Sequence, residues 1–347
     1  MDPKSNPEEV KEAMKEYYGK KLTNSEDLQT DACTPLGKKF YKSACKAVRE
    51  VHDDVIAKYY GCGNPIPEGL EGATVLDLGS GTGRDVYICS KLVGETGKVI
   101  GIDMTQEQID VAKEYQEYHA EKFGFANTEF IQGYVEDYVD TGAIEEGSVD
   151  VIISNCVVNL CPDKEKVLRQ AWKVLKEGGE LYFSDMYCDR RLPEEIKQNK
   201  ELWGEGLAGS LYVEDFKQIM RDIGFRDIRI CSLRKIKIKG SYDLKANYYS
   251  ITVRAFKIST LEERCEDYGN LATYNGKMTD FAEKFEFDKN YTFIKDEPLS
   301  ICQNTAETLK KSRFSEFFTI TEDEEHQGLH PKQSFQIIRD PQPSCSS

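Results

Sequence analysis

Apolar residues recur at a helical period over Asn6–Tyr18, with Val10, Met14 and Tyr17 or Tyr18 on one side and Gly19 closing the segment. Thr23–Lys39 loses that pattern; it is polar and turn-rich, and a loop is expected. From Lys46 to Tyr60 a second helix is predicted, with Val48, Val51, Val55 and Tyr59 on one face. Gly61-Cys62-Gly63, with Pro65 and Pro67 beyond, stops it. At Thr74 the period changes. Val75–Leu78 is a short apolar run that suits a buried strand, and Arg84 onward returns to helical spacing at Val86, Cys89 and Val93. The alternation continues with the strand KVIGID, a long helix over Gln106–Phe123, the strand TEFIQGY and a strand at Val149–Ser154. A helix over Lys164–Leu175, closed by Gly178-Gly179, leads into the strand ELYFSDMY. Such alternation predicts an α/β fold built on a doubly wound, mostly parallel sheet. Helices over Pro193–Leu207 and Val213–Gly224 follow, and IRICSL and YSITVRAFK read as two antiparallel strands completing the sheet. Past Lys257 the chain turns to short aromatic alternations, KFEFDKNYTFI, and then a helix, AETLKKSRF. The expected organisation is therefore N-terminal helices and a cysteine loop over 1–65, a core over 66–257, a small α+β C-terminal appendage over 258–320, and a polar, loosely ordered tail over 321–347.

The 347 residues are 39% hydrophobic, enough for one large domain and one small one. A net charge of −15 opposes binding to a polyanion, so nucleic acid is excluded as a substrate. The sequence carries no apolar run of membrane-spanning length and no leader, and a soluble, cytoplasmic, monomeric protein is expected. Eleven cysteines are many for such a chain; the number is odd, no C-x-x-C pair occurs and only four histidines are present. Neither zinc spacing nor a disulfide scaffold fits, and most of these thiols are expected to be small buried hydrophobes, as Trp172 and Trp203 are expected to be core. Cys33 stands out because it lies in the polar loop. Cys62 stands out because glycine on both sides leaves its thiol unshielded on a tight turn, although a helix cap with an incidental thiol is the plainer alternative.

The strand-loop-helix junction Thr74–Asp85, TVLDLGSGTGRD, supplies the candidate chemistry. Gly79, Gly81 and Gly83 let the chain turn sharply and let a ligand lie against bare backbone. A nicotinamide fingerprint would be G-x-G-x-x-G, and here the third glycine comes one residue early. KVIGID ends in Asp103, 20 residues past Gly83, where an acceptor for a ribose diol is expected. LDLGSGTG together with IDMT resembles class I S-adenosylmethionine-dependent methyltransferases. That resemblance implies a sulfonium methyl donor reacting by in-line displacement. Acceptor nitrogens and oxygens usually need a base, but the fourth strand ends in Asn155 and Cys156, neither an Asp nor a His. A cysteine there points to a soft acceptor bound by thiolate, and trivalent arsenic, whose lone pair is already nucleophilic, fits.

YYGCG, LDLGSGTGRD, GIDMT, SNCVVNL, GGELYFSDMY, LPEEI with LWGEGL, and the YNG and KKSRF stretches of the appendage together resemble the arsenite methyltransferase family from Glu16 to about Ile320. The resemblance implies methyl transfer to arsenite or methylarsenite, with thioredoxin or glutathione as thiol reductant between rounds. It implies Cys33, Cys62 and Cys156 as catalytic thiolates and arsenic ligands. For the cofactor it implies Gly79, Ser80 and Gly81 at the methionine and ribose, Asp103 at the ribose hydroxyls, and Met104, Val135 and Glu136 at the adenine. Tyr60 and Gly61 would close over the sulfonium, and Asp77, Gln108 and Asn155 complete the set. The family carries a fourth thiol between the positions of Glu205 and Leu207, where this chain has Gly206. Three readings stay open: Cys33, Cys62 and Cys156 suffice; Cys161 or Cys188 substitutes; or arsenic binding is weakened, so that only methylated species are handled or activity is lost. The rivals are a methyltransferase acting on another small molecule, and an arsenical-binding protein without turnover.

Overall fold

The computed structural model describes residues 7–16, 40–57, 61–238, 244, 246–321 and 325–333. The expected loop Thr23–Lys39, with Cys33, and Tyr60 lie outside them. In chain order the first elements are α1 (Pro7–Glu16), α2 (Lys42–Glu50), α3 (Asp53–Ala57), β1 (Thr74–Leu78), α4 (Arg84–Val93), β2 (Lys98–Asp103), α5 (Gln106–Glu114), α6 (Gln116–Phe123), β3 (Thr128–Gln132), β4 (Val149–Asn155), α7 (Lys164–Val174) and β5 (Leu175–Cys188). Next come α8 (Glu194–Lys197), α9 (Lys200–Gly204), β6 (Leu211–Tyr212), α10 (Val213–Ile223), β7 (Ile228–Lys235) and β8 (Tyr248–Phe256). The main sheet runs β3-β2-β1-β4-β5-β8-β7, with β6 beside β5. From β3 to β5 every pairing is parallel, while β8 is antiparallel to both β5 and β7. Strand order reverses between β1 and β4, which places a crevice beyond their carboxyl ends. β1 and β4 are buried nearly throughout because helices cover both faces, and this is why they read as apolar runs rather than alternations.

Two helices expected to be continuous are broken, and the breaks meet. The predicted helix 46–60 splits at Val51, which is extended (φ −73°, ψ 140°). The predicted helix Gln106–Phe123 splits at Tyr115 (φ −97°, ψ 8°). Between them the His52 ring stacks on Tyr115 with centroids 4.1 Å apart, and the His52 N–H donates to Nε2 of His119 at 3.2 Å. A contact between distant segments overrides the period of each, as tertiary packing overrides propensity elsewhere. Pro193–Leu207 is likewise two short helices, with Asn199 Oδ1 accepting from the Leu202 N–H (3.1 Å) at the start of α9. β5 starts earlier than expected, at Leu175, and takes in Gly178-Gly179. A Cβ at Gly178 would lie 2.1 Å from the carbonyl oxygen of Lys311, so the strand admits the appendage there.

The appendage contains β9 (Glu266–Asp267), β10 (Leu271–Tyr274), β11 (Lys284–Glu286), β12 (Thr292–Ile294), β13 (Pro298–Ser300), α11 (Gln303–Lys311) and β14 (Phe318–Thr321) around its own aromatic core of Phe285, Phe287, Phe293, Phe314 and Phe318. Part of the expected loose tail is packed: β15 (Gly328–Leu329) pairs with β9, and His330 is buried, its N–H donating to the Cys265 carbonyl at 2.8 Å.

Candidate active site

The crevice between β1 and β4 opens into a cavity holding about 1060 Å³ of empty space, part of it continuous with solvent. The glycine loop forms its floor. Gly79 (φ 71°) and Gly81 (φ 52°) both adopt a left-handed backbone. A Cβ on Gly79 would lie 2.3 Å from Val157, whereas one on Gly81 would meet only Gln108 Oε1, at 3.8 Å. Bare backbone therefore faces the cavity at Gly81. The N–H groups of Gly79 and Ser80 donate to the Ile102 carbonyl (2.8 and 3.0 Å), tying the loop to β2. Asp103 accepts from the N–H of Gly81 (2.9 Å) and of Thr105 (2.8 Å) through separate oxygens, and from the Thr105 side chain as well.

Asp77, Asp85, Asp103 and Glu136 all line this cavity. Burial pushes the Asp77 carboxyl well above its usual range, and Asp85 and Asp103 push it further. Burial also raises Asp103 and Glu136. Crowded carboxylates with little water around them favour a cationic occupant. The buried Ser80 hydroxyl has no hydrogen-bond partner among the described residues. Bare backbone, a carboxylate at the end of β2 and an acidic wall fit S-adenosylmethionine, whose sulfonium and ammonium outweigh its carboxylate.

Of the cofactor residues expected from sequence, Asp77, Gly79, Ser80, Gly81, Asp103, Met104, Gln108, Val135, Glu136 and Asn155 all line the cavity. Gly61 is buried but is not part of the wall. Sequence reasoning missed α1, which contributes Lys11 and Met14. Lys11 Nζ lies 3.9 Å from Glu136 and 4.5 Å above the Tyr134 ring, and Lys15 donates to the Tyr134 hydroxyl at 2.7 Å. Amphipathic spacing announces that helix, but nothing in it names a partner more than a hundred residues away. Leu160 and Pro162 line the cavity without having been expected to, whereas Cys161 between them is the thiol named above as a possible substitute.

Asn155, besides lining the cavity, holds the turn that carries Cys62. Its Oδ1 accepts from the N–H groups of Cys62 (2.9 Å) and Gly63 (3.1 Å), and its Nδ2 donates to the Gly63 carbonyl (3.0 Å). The Cys62 turn is thereby docked beside Cys156, and the two cysteines are joined as a disulfide with Cα atoms 5.8 Å apart. The expectation of an unshielded Cys62 is corrected: it is 2% exposed, because Asn155 and the face of β8 cover the turn. Cys156, which lines the cavity, has φ 56°, an uncommon backbone for a residue other than glycine.

Among the described residues the remaining thiols are mostly buried, as expected, with Cys45 exposed and Cys231 half-buried. Cys161 lines the cavity but donates to the Val157 carbonyl (3.3 Å), and burial raises its pKa well above the usual thiol value. Cys188 packs in the same apolar cluster as Cys62 and Cys156, donates to the Arg190 carbonyl (3.0 Å), and is pushed up to about 12 by burial. At Gly206 (φ 77°) a Cβ would lie 2.0 Å from Met186 Cε and 2.6 Å from Asn159 Nδ2, so Met186 fills the space a side chain there would use. Among the described residues, no three His, Cys, Asp or Glu side chains converge as a metal-ion site.

A methyltransferase domain model matches residues 70–224, and an arsenite methyltransferase C-terminal domain model matches residues 268–343. An arsenite methyltransferase of Aquipseudomonas alcaligenes is 45% identical, over 92% of this chain and 93% of its own. The chain belongs to the arsenite methyltransferase family. The family's Homo sapiens member is 44% identical over 90% of this chain and 84% of its own. A crystal structure of an arsenic(III) S-adenosylmethionine methyltransferase from Chlamydomonas reinhardtii superposes with a TM-score of 0.80 at 42% identity, covering 84% of this chain and all of that one. The sheet is thus the class I methyltransferase sheet, and the appendage is the family's C-terminal domain. No described helix is long and apolar enough to cross a membrane.

Proposed function

We propose that the protein methylates trivalent arsenic, arsenite or methylarsenite, held by the sulfurs of Cys62 and Cys156 with Cys33 as third ligand. The observation that carries this reading is the meeting of two cysteines 94 residues apart at the edge of an acidic cavity. S-adenosylmethionine, when bound, supplies an electrophilic methyl group on a sulfonium.

The chain's part is to bind, orient and shield. Asp103 and the Gly79–Gly81 backbone, which line the cavity, would hold the ribose and methionine ends, and Val135 and Glu136 would meet the adenine. A thiol reductant of the thioredoxin or glutathione kind, in the cytoplasm, opens the Cys62–Cys156 disulfide and leaves two thiols on a fixed turn. Each thiol passes its proton to an arsenic-bound hydroxyl, which leaves as water as the sulfur bonds arsenic, and the arsenic lone pair is left aimed at the cavity. No general base is needed, which agrees with Asn155 being committed to the Cys62 turn. Methyl transfer raises arsenic from the trivalent to the pentavalent state, and two electrons from thiols return it.

The test is incubation with S-adenosylmethionine, a thiol reductant and arsenite or methylarsenite, followed by identification of the arsenic species. Methylated arsenic is expected with the intact protein. In Cys156→Ser its rate should fall by at least about a hundredfold, equivalent to losing roughly 3 kcal/mol of transition-state stabilisation, with S-adenosylmethionine binding kept. Undiminished product from Cys156→Ser would sink the thiolate mechanism. Met186 filling the space beside Gly206 favours a second reading, an arsenical binder with weak turnover. That reading requires bound arsenic with little methylated product.

A further inference from the structure

The segment that carries Cys62 is held along its length. The Ser250 hydroxyl donates to the Cys62 carbonyl at 2.8 Å. Gly63 lies against Ser184 and Thr252, whose hydroxyls bond each other at 2.8 Å. Arg254 Nη2 reaches the Glu68 carboxylate at 3.0 Å. Ser250, Thr252 and Arg254 are alternate residues of β8, so one face of one strand is a track beneath residues 62–68. Pro65 and Pro67 stiffen the stretch between.

The far end of that track is closed by the appendage. Arg313, just past the end of α11, donates to the Glu68 carbonyl through Nε (3.1 Å) and Nη2 (2.9 Å), and Nη2 also lies 2.6 Å from Oε2 of the buried Glu180. Its neighbour Phe314 is part of the appendage core. The Tyr41 hydroxyl, which donates to the Pro67 carbonyl at 2.9 Å, belongs to a ring packed on Phe281 of the appendage.

We infer that the C-terminal domain positions the Cys62 turn against Cys156, with Arg313 as the positioning residue. The reason is geometric: the near end of the turn segment is fixed by Asn155 and Ser250, while at the far end Arg254 holds the Glu68 carboxylate, Tyr41 the Pro67 carbonyl and Arg313 the Glu68 backbone itself. With Arg313 gone, the segment beyond Pro65 loses its grip on the Glu68 backbone, and Cys62 samples orientations in which its sulfur does not face Cys156. The effective concentration of one sulfur at the other then falls. This role in arsenical capture rests on the function proposed above; the positioning itself does not.

The experiment uses the full chain as Arg313→Met and Arg313→Lys. The Cys62–Cys156 disulfide is equilibrated in dithiothreitol redox buffers and read by alkylation and mass spectrometry of the two peptides, with no arsenic present. Arg313→Met should shift the equilibrium towards the dithiol by about tenfold, with S-adenosylmethionine affinity unchanged. Arg313→Lys keeps a cation at Glu180 but gives up the two-pronged hold on the Glu68 carbonyl, so an intermediate shift is expected. It carries the test alone if the Met variant does not fold. An unchanged equilibrium in a variant with a lowered Tm would overturn the inference, because Arg313 would then stabilise the domain without positioning the turn. A shifted equilibrium in a protein that methylates no arsenical would uphold the positioning and sink the proposed function.

Discussion

Asp103 and Gly206 show how differently single positions depend on context. Asp103 spends one hydrogen bond from each oxygen on backbone N–H groups and still faces the cavity. Asp103→Asn keeps that shape but removes the anion, so S-adenosylmethionine should bind roughly tenfold more weakly or worse, as read by titration calorimetry. Gly206→Cys, which places a thiol where the family resemblance implies one, should not be neutral. The left-handed backbone and the contacts with Met186 and Asn159 predict a loss of roughly 1–3 kcal/mol, seen as a lower Tm and partly recovered by adding Met186→Ala. Asp103 was legible in the sequence because a strand ending at a fixed distance from a glycine loop leaves little choice of place. The filling of the Gly206 site was not, since Met186 lies 20 residues away and only β5 brings it there.

Helix periodicity marked where α2 and α6 run but not where they break. His119 explains the difference. Its Nδ1 bonds the Tyr115 carbonyl at 2.7 Å, and its Nε2 accepts from the His52 N–H, so the ring is neutral with the proton on Nδ1. Burial lowers its pKa from 6.5 to about 4. The unfolded chain therefore binds more protons than the folded one between those values. The resulting stability is fully present above pH 6.5 and is lost as pH falls towards 4. Wild-type Tm should drop more steeply between pH 6.5 and 4.5 than that of His119→Gln, and equal slopes would refute the assignment. Of the central strands, β1, β2 and β4 were legible to within a residue, because burial on both faces writes itself into composition, whereas the early start of β5 and the short β6 were not. α1 was read as a helix yet not as a cavity wall, because its partners Tyr134 and Glu136 are set by folding alone.

The two domains are joined through buried charge. Arg254 pairs with Glu68 and Glu180, donates to the Phe287 carbonyl at 2.7 Å, and lies beneath the appendage's aromatic core. Arg254→Met leaves two buried carboxylates with less compensation and should cost about 3–5 kcal/mol, measured as a lower urea midpoint. Sequence reading separated the appendage by its change in composition but assigned it no task. The Arg residues that bind it to the core look like ordinary surface charge until their partners are known.

Residues 62 and 156 enclose a loop of 94 positions, a quarter of the chain, and tying its ends removes freedom mainly from the denatured state. For a loop of that span the tie is worth about 4–5 kcal/mol. Purified without reductant, the protein should withstand heat better than when kept reduced, while its two sulfurs sit in the form that does not accept arsenic in the proposed reaction. Endurance and readiness then oppose each other, and ranking preparations by melting behaviour would select the idle ones.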